Sequence, residues 1–416
     1  MIPPLDSPVR VALVGAGNRS RTVYLPLFKA LAPWVTVTAV CDPVREHADN
    51  VAAALGVPAY YSLRDLVADR PMEAALVVTP IDGHHAISCY LSSHGVHNLV
   101  ETTIANLLVQ AIEMRDTARS NGVVMRVAEN FFRFPFDRIA MQVMASGVIG
   151  DIYRMTCFHD HLGYHNNSRW IVLMGSRPTS VQAVKHVMPT LPHNEAAHRH
   201  HESETFNARF FEFPEGKFVS DIAANIKGML GRYPRPGYTE IDGTRGTVAR
   251  WAVRNWWGEG EVRICSDAAL ENGAIADIVC PILHETDGEF WSREYVDLPT
   301  GRVEWVNQFS PKVGLEPGHV YHHRDYYGAA VMDHIVDFAR AIRGVAESEY
   351  TDEDAVAAMM MEVGARESVL RDGAKVALPL TEDLAAEQVV REQLRQKLGV
   401  DPLDIEAVMN ISFPRP

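Results

Sequence analysis

The sequence predicts an α/β protein of two parts: an N-terminal doubly wound parallel sheet, then an α+β domain with a large open, mostly antiparallel sheet. Three observations lead there. At 416 residues the chain exceeds what one compact core supports. As far as Met125, short β-rich runs alternate with helix-length amphipathic stretches, the pattern of βαβ units. Beyond Asn130, β-type runs follow one another with few helices between them, as in an antiparallel sheet. A hydrophobic fraction of 47% with 22% charged residues is that of a globular chain with a sizeable core.

Taken in order, "VRVALVGAG" reads as a strand, Val23–Leu31 as helix, "VTVTAVCD" as a strand and His47–Leu55 as helix. "AALVVTP" and "VHNLVE" are strands around a helix at His84–His94, and Asn106–Ser120 is helical before the strand "VVMRVAE". After a helix at Phe136–Ser146 come the strand-like runs "DIYRMTCFH", "TSVQAVKHV", "ETFNARFFEF", "KFVSDIAANI", "YTEIDGTRGTVARWA" and "EVRIC". A tract rich in Gly, Pro and Trp, about 255–320, reads as loops and edge strands. Val331–Arg343 and Asp352–Arg371 read as closing helices. Boundaries are expected at 1–128, 129–380 and 381–416, the last an amphipathic helical tail that packs on the body or on a sister subunit.

A net charge of −14 with no Lys/Arg stripe argues against nucleic acid as a partner. The five scattered cysteines have no CxxC spacing, so neither a disulfide framework nor a thiolate zinc site is indicated. The start "MIPPLDSPVR" lacks the features of a secretory leader, and no apolar run of about 18 residues spans a bilayer. A cytoplasmic location is expected.

"VALVGAGNRS" leaves a strand and opens a helix. Gly15 permits the tight turn, and Gly17 lets backbone N–H groups approach a pyrophosphate, with Asn18 and Arg19 next in the loop. Ser20 stands where the third glycine of GxGxxG would be. Alone, such a turn is a weak signal. Asp42 strengthens it, because an acid at the end of the second strand accepts bonds from a ribose 2′-hydroxyl and repels a 2′-phosphate; its other reading is a helix cap. No Arg follows at once, so NAD is favoured over NADP. In "TPIDGHH", Thr79 and Pro80 are placed to flank the nicotinamide side of a cofactor crevice, and His84 begins the next helix.

The order of "VALVGAGNRS", "VCDP", "VVTPIDGHH", "GVHNLVETTIAN", "ENFFRFPFDRIAMQVMASGVIGDI", "YTEIDGTRGTV" and "VMDHIVDFARAIRG" resembles the glucose–fructose oxidoreductase / inositol dehydrogenase family (Gfo/Idh/MocA). The resemblance implies a Rossmann domain carrying NAD or NADP, and an open sheet domain that covers the nicotinamide and forms a sugar pocket. Relatives commonly pair into dimers or tetramers. The family usually has Glu-Lys-Pro where this chain has Glu101-Thr102-Thr103. That lysine manages the substrate hydroxyl proton, a task worth roughly 10²–10⁴ in rate, and a threonine hydroxyl has no pKa near neutrality with which to do it. Glu101 therefore counts both as a catalytic and as a cofactor-side candidate. By the same resemblance Asn130 and Arg133 face the active site, although domain packing accounts for Arg133 equally well. His322, His323 and Asp325 fall in a segment that lines the sugar site in relatives.

The family's second contributor is a histidine in Gly-x-His, matched here by Gly163 and His165, with His161 where an acid is usual and Ser168 where another often stands. Roughly half of the histidines lie between His159 and His201. Imidazole titrates near neutrality, so His165 is the first candidate to replace the absent amine, with His161 and the phenol of Tyr164 beside it. No metal is expected; the alternative ligand set is His159, His161 and His165. Three functions follow: an NAD-dependent oxidoreductase on a secondary hydroxyl of a sugar, glycoside or cyclitol; redox-neutral glycoside cleavage with retained NAD; or a non-catalytic dinucleotide-binding protein. Glycosidases of glycoside hydrolase family 109, in the same superfamily, also keep the Glu and lack the Lys.

Overall fold

Six short strands, β1 (Val9–Val14), β2 (Val35–Cys41), β3 (Ala59–Tyr60), β4 (Ala74–Val77), β5 (His97–Val100) and β6 (Met125–Val127), form a wholly parallel sheet ordered 3-2-1-4-5-6. This computed structural model describes residues 2–159, 163–195, 199–224, 238–251, 259–273, 275–287, 290–309, 324–381 and 384–411. All four residues of β4 and five of six in β1 are buried, as expected of strands covered on both faces. Helices Arg45–Leu55, His84–Ser93 and Leu108–Ser120 fall where the amphipathic stretches place them. The first stops at Gly56, whose left-handed φ of 68° suits glycine.

The stretch after β1 differs from the single helix expected. Ser20–Tyr24 is a π-helical turn, Leu25–Leu27 a 3₁₀ turn, and only Phe28–Leu31 is α-helical. Pro26 has no N–H to donate and breaks the ladder there. β3 and the helix Leu63–Asp69, capped by Ser62, are additions the apolar pattern did not announce.

The chain forms two compact units: Met1–Arg133 with Asn307–Met359 and Glu387–Pro416, and Phe134–Val306 with Met360–Ala386. The first unit is thus discontinuous, unlike the division at 128/129 and 380/381. Its late segments are held by buried polar contacts. Arg133, only 3% exposed, reaches Asp333, Asp337 and Glu349 at 3.2, 3.0 and 3.0 Å. Glu387 Oε2 accepts the Leu108 N–H at the start of a helix, at 2.7 Å, and Gln110 donates to the Pro402 carbonyl. Here, the tail from Glu387 packs on this unit itself.

The second unit is built on an 11-stranded sheet. Its strands are β7 (Ile152–His159), β8 (Ser180–Glu195), β9 (Arg199–Glu212), β10 (Phe218–Ala224), β11 (Tyr238–Gly243), β12 (Gly246–Trp251), β13 (Glu259–Ile264), β14 (Ile278–Asp287), β15 (Phe290–Leu298), β16 (Gly301–Val306) and β17 (Val376–Ala377). The order is 16-15-14-13-12-11-7-10-9-8-17, antiparallel throughout except for β10 beside β7. The run "EVRIC" falls in β13 as expected, and much of the tract read as loops and edge strands is the strand series β14 to β16. Helices Pro135–Ala145 and Tyr164–Met174 belong to this unit. Arg169 and Asp137 join them through a bidentate pair at 2.6 and 2.8 Å. Among the described residues no helix is long and apolar enough to cross a membrane.

Removing one partner of a buried ion cluster strands the others, at a cost of about 3–5 kcal/mol. Arg133→Met is expected to lower the melting temperature of the full chain markedly, whereas Arg366→Met, which loses only an exposed i,i+4 pair with Glu362, changes it little. Differential scanning calorimetry of the two variants checks the contrast.

Candidate dinucleotide and proton-transfer sites

In the first unit, Gly15 carries φ +94°, and a Cβ on it would lie 2.3 Å from the Val78 carbonyl oxygen. No other residue fits between β1 and β4 there. Gly17, by contrast, has nothing within 4 Å of where its Cβ would be, so its backbone faces open space. Ser20 is fully buried and donates from Oγ to the Gly15 carbonyl at 2.5 Å, closing the turn from within. Asp42 is 1% exposed; Oδ2 accepts the Ala16 N–H and Oδ1 the Val44 N–H, both at 2.8 Å. It ties the end of β2 to the glycine turn. Asn18 is exposed at the loop's surface.

Glu101, at the end of β5, is the electrostatic centre of this unit. Its Oε1 receives Arg19 Nε at 2.7 Å and the Tyr24 hydroxyl at 2.8 Å; its Oε2 receives the Thr102 N–H at 3.0 Å and the Thr102 hydroxyl at 3.3 Å. Burial alone would raise the Glu101 carboxyl, but the Arg19 charge and these bonds hold it at about 2. Burial works against the Arg19 charge too, yet Glu101 and the two tyrosines keep that guanidinium even harder to deprotonate than usual. Arg19 also donates to the Tyr327 hydroxyl at 2.6 Å. His334 lies against Tyr24, ring centroids 6.4 Å apart, with both ring nitrogens buried and unpartnered; burial and the neighbouring Arg133 push it down to about 3.

Thr102 and Thr103 are joined by a cis peptide bond. His84, 1% exposed, sets Nδ1 against the Thr103 carbonyl at 2.9 Å and Nε2 against the Thr79 carbonyl at 3.0 Å, and burial lowers its pKa. It bridges the ends of β4 and β5, where a neutral ring donates to one carbonyl at a time. Pro80 is exposed. Among the described residues the Thr79 hydroxyl is buried with no hydrogen-bond partner, and the buried Asn130 amide faces the Tyr327 hydroxyl. An unpaired buried polar atom is costly, and the Thr79 hydroxyl, on a residue expected at the nicotinamide side, matches a ligand able to satisfy it. With the open face at Gly17, the residues present fit a dinucleotide.

In the second unit, His165 is 8% exposed in the first turn of its helix, its ring 4.2 Å from that of Tyr164. Ser168 Oγ donates to the His165 carbonyl at 2.9 Å. Asn166, Asn167, Ser168 and Arg169 are also buried, which makes the start of this helix polar and enclosed. His161, His322 and His323 lie outside the described residues, as do the side chains of His159 and Asp325. Among the described residues no group of three or more His, Cys, Asp or Glu is placed to hold a metal ion. Arg133 is committed to its three carboxylates.

Sequence reasoning missed Tyr24, Tyr327 and His334 around Glu101. Tyr327 sits inside the "YHHRDYYG" segment already singled out, but attention there fell on its histidines and Asp325. The signal available was chemical: a cation in the loop, Arg19, and a buried carboxylate at a strand end need each other.

The 3-2-1-4-5-6 order and the glycine turn at its centre define a dinucleotide-binding Rossmann domain. Residues 9–129 match the Gfo/Idh/MocA profile, described as "Oxidoreductase family, NAD-binding Rossmann fold". A D-glucoside 3-dehydrogenase of Escherichia coli is 30% identical over 155 residues, 36% of this chain and 43% of its own. A glycosyl hydrolase family 109 protein of Shewanella amazonensis is 25% identical over 180 residues, 41% of this chain and 38% of its own. The matched stretches thus span less than half of these relatives. A levoglucosan dehydrogenase, solved with NADH and levoglucosan, shares the fold with a TM-score of 0.63 over 90% of this chain and all of its own, at 18% identity.

Gly17→Ala is expected to leave the melting temperature unchanged and to weaken NAD binding by at least about tenfold, since the methyl group occupies only the space a pyrophosphate needs; isothermal titration calorimetry reads this directly. Acid sensitivity is the second expectation. His334 binds its proton less readily folded than unfolded, so its neutral state stabilises the fold above about 6.5, and that contribution falls away as pH drops toward about 3. Glu101 contributes above about 4.5 and loses its contribution toward about 2. His334→Phe should flatten the melting temperature against pH in the upper window only.

Proposed function

We propose that this protein is an NAD-dependent oxidoreductase that moves hydride between a secondary hydroxyl of a sugar, glycoside or cyclitol and the nicotinamide. The observation that supports it best is the cradle of the first unit: backbone open at Gly17, a buried Thr79 hydroxyl with no partner among the described residues, and a buried Asn130 amide. The glycine turn and the backbone beyond it would hold the pyrophosphate, Asp42 the adenosine ribose, and Thr79 and Asn130 the nicotinamide amide. NAD supplies the hydride acceptor; the chain supplies orientation and proton handling. Glu101, held ionised by Arg19, orders the turn at Thr102 rather than exchanging protons. His165, with the Tyr164 phenol beside it, takes the hydroxyl proton that the family's lysine would otherwise manage. Assembly into dimers or tetramers accompanies this reading.

A second reading, redox-neutral glycoside cleavage with retained NAD, has its own support in Thr102 and in the family 109 matches. Oxidation at ring C3 acidifies the neighbouring C2–H, the aglycone leaves C1 by elimination, water adds at C1, and hydride returns to C3.

Full-length protein with NAD, given methyl and nitrophenyl glycosides and inositols, separates the two. Net NADH formation is the expected result; release of nitrophenol without net NADH replaces it by the second reading; bound NAD with no turnover on any of them removes both. In the active assay His165→Ala should lower kcat by about 10²-fold or more, and His200→Ala, on an exposed strand position, should not.

A further inference from the structure

We infer that Arg209, in β9, is a positioning residue that fixes the helix start carrying Tyr164 and His165. The inference rests on the proposed role of His165. Arg209 is 6% exposed and lies directly across the sheet from Asp221 of β10, so both side chains leave the same face. Its Nη2 donates to Asp221 Oδ2 at 2.9 Å and to the Gly163 carbonyl at 2.6 Å, while Nη1 reaches Glu362 at 3.2 Å. Gly163 is the residue before the helix, and its carbonyl also accepts the helix's first N–H, from Asn166, at 3.1 Å.

A Cβ on Gly163 would lie 3.0 Å from Arg209 Nη2 and 3.2 Å from its Cζ, so any side chain there would press the guanidinium a few tenths of an ångström out of this seat. Asp221, with no exposure, accepts the Trp170 indole N–H at 2.7 Å as well. One ion pair in the sheet therefore grips the helix at two points, Gly163 and Trp170, on either side of His165. A buried guanidinium–carboxylate pair adds little net stability but enforces one geometry, and the backbone carbonyl it holds is two residues from the imidazole. The Gly-x-His spacing acquires a physical reason: glycine leaves the guanidinium its closest seat, and the histidine is aimed by it.

Two variants test this in the NAD-loaded full chain. Arg209→Gln with Asp221→Asn replaces the ion pair by neutral partners and leaves no buried charge alone; Gly163→Ala forces the carbonyl from the guanidinium while keeping both charges. Each is expected to shift or broaden the His165 ring resonances in nuclear magnetic resonance spectra, with NAD affinity unchanged. With methyl β-D-glucoside as probe, each should lower kcat by about 10–100-fold. In a His165→Ala background neither should lower it further, because the effect passes through that ring. Unmoved His165 resonances in both variants, or losses that multiply with that of His165→Ala, overturn the inference. If His165→Ala leaves kcat unchanged in an active enzyme, the functional reading falls instead.

Discussion

A carboxylate out of reach of water has to be matched by opposite charge and by hydrogen bonds to all its lone pairs, or it does not stay charged. Glu101 meets that requirement by drawing on distant parts of the chain. Arg19 comes from the glycine turn, Tyr24 from the broken helix after it, and Thr102 from its own strand end. Through Arg19, Tyr327 joins from 308 residues away. The irregular path of Ser20–Leu31 follows from this, since it brings Tyr24 inward while Arg19 turns toward the end of β5. The acid is thus an anchor, saturated by donors.

The second unit solves a related problem. Its helix from Tyr164 buries five consecutive polar side chains, His165 to Arg169, and two ion pairs, Arg209–Asp221 and Arg169–Asp137, compensate the charge among them. Hydrophobic packing would hold such a helix as firmly, but it would leave the rotation of the first turn loosely defined. Directional bonds to a backbone carbonyl define it.

Much of the architecture was legible because parallel, doubly covered strands announce themselves as apolar runs such as "AALVV", and because glycine at residue 15 has a steric reason visible in any βα turn. Pro26 was equally visible, yet its effect on the helix around it was not weighed. The strands β14 to β16 were obscured by Gly, Pro and Trp, residues that mark loops by composition but here pack in a meander. The discontinuity of the first unit was hidden for a deeper reason: periodicity reports on local partners, whereas Arg133 finds its carboxylates 200 residues and more downstream. The same limit applies to the sites. Gly15, Asp42 and Glu101 sit at strand ends and could be named from position; Tyr327 and Arg209 act through contacts that only the folded chain creates.

The interrupted first unit also bears on how the chain emerges from the ribosome. Its sheet is complete once Val127 has been made, but the carboxylates for Arg133 and the Glu387 cap for Leu108 arrive some two hundred residues or more later, after nearly all of the second unit. During synthesis the nascent nucleotide-binding sheet must therefore wait with a buried cation unmatched and apolar surface uncovered, the condition in which chaperones engage growing chains. A fragment ending at residue 133 would carry that unfinished state permanently, so a gene for the isolated domain has to splice the two late segments back in.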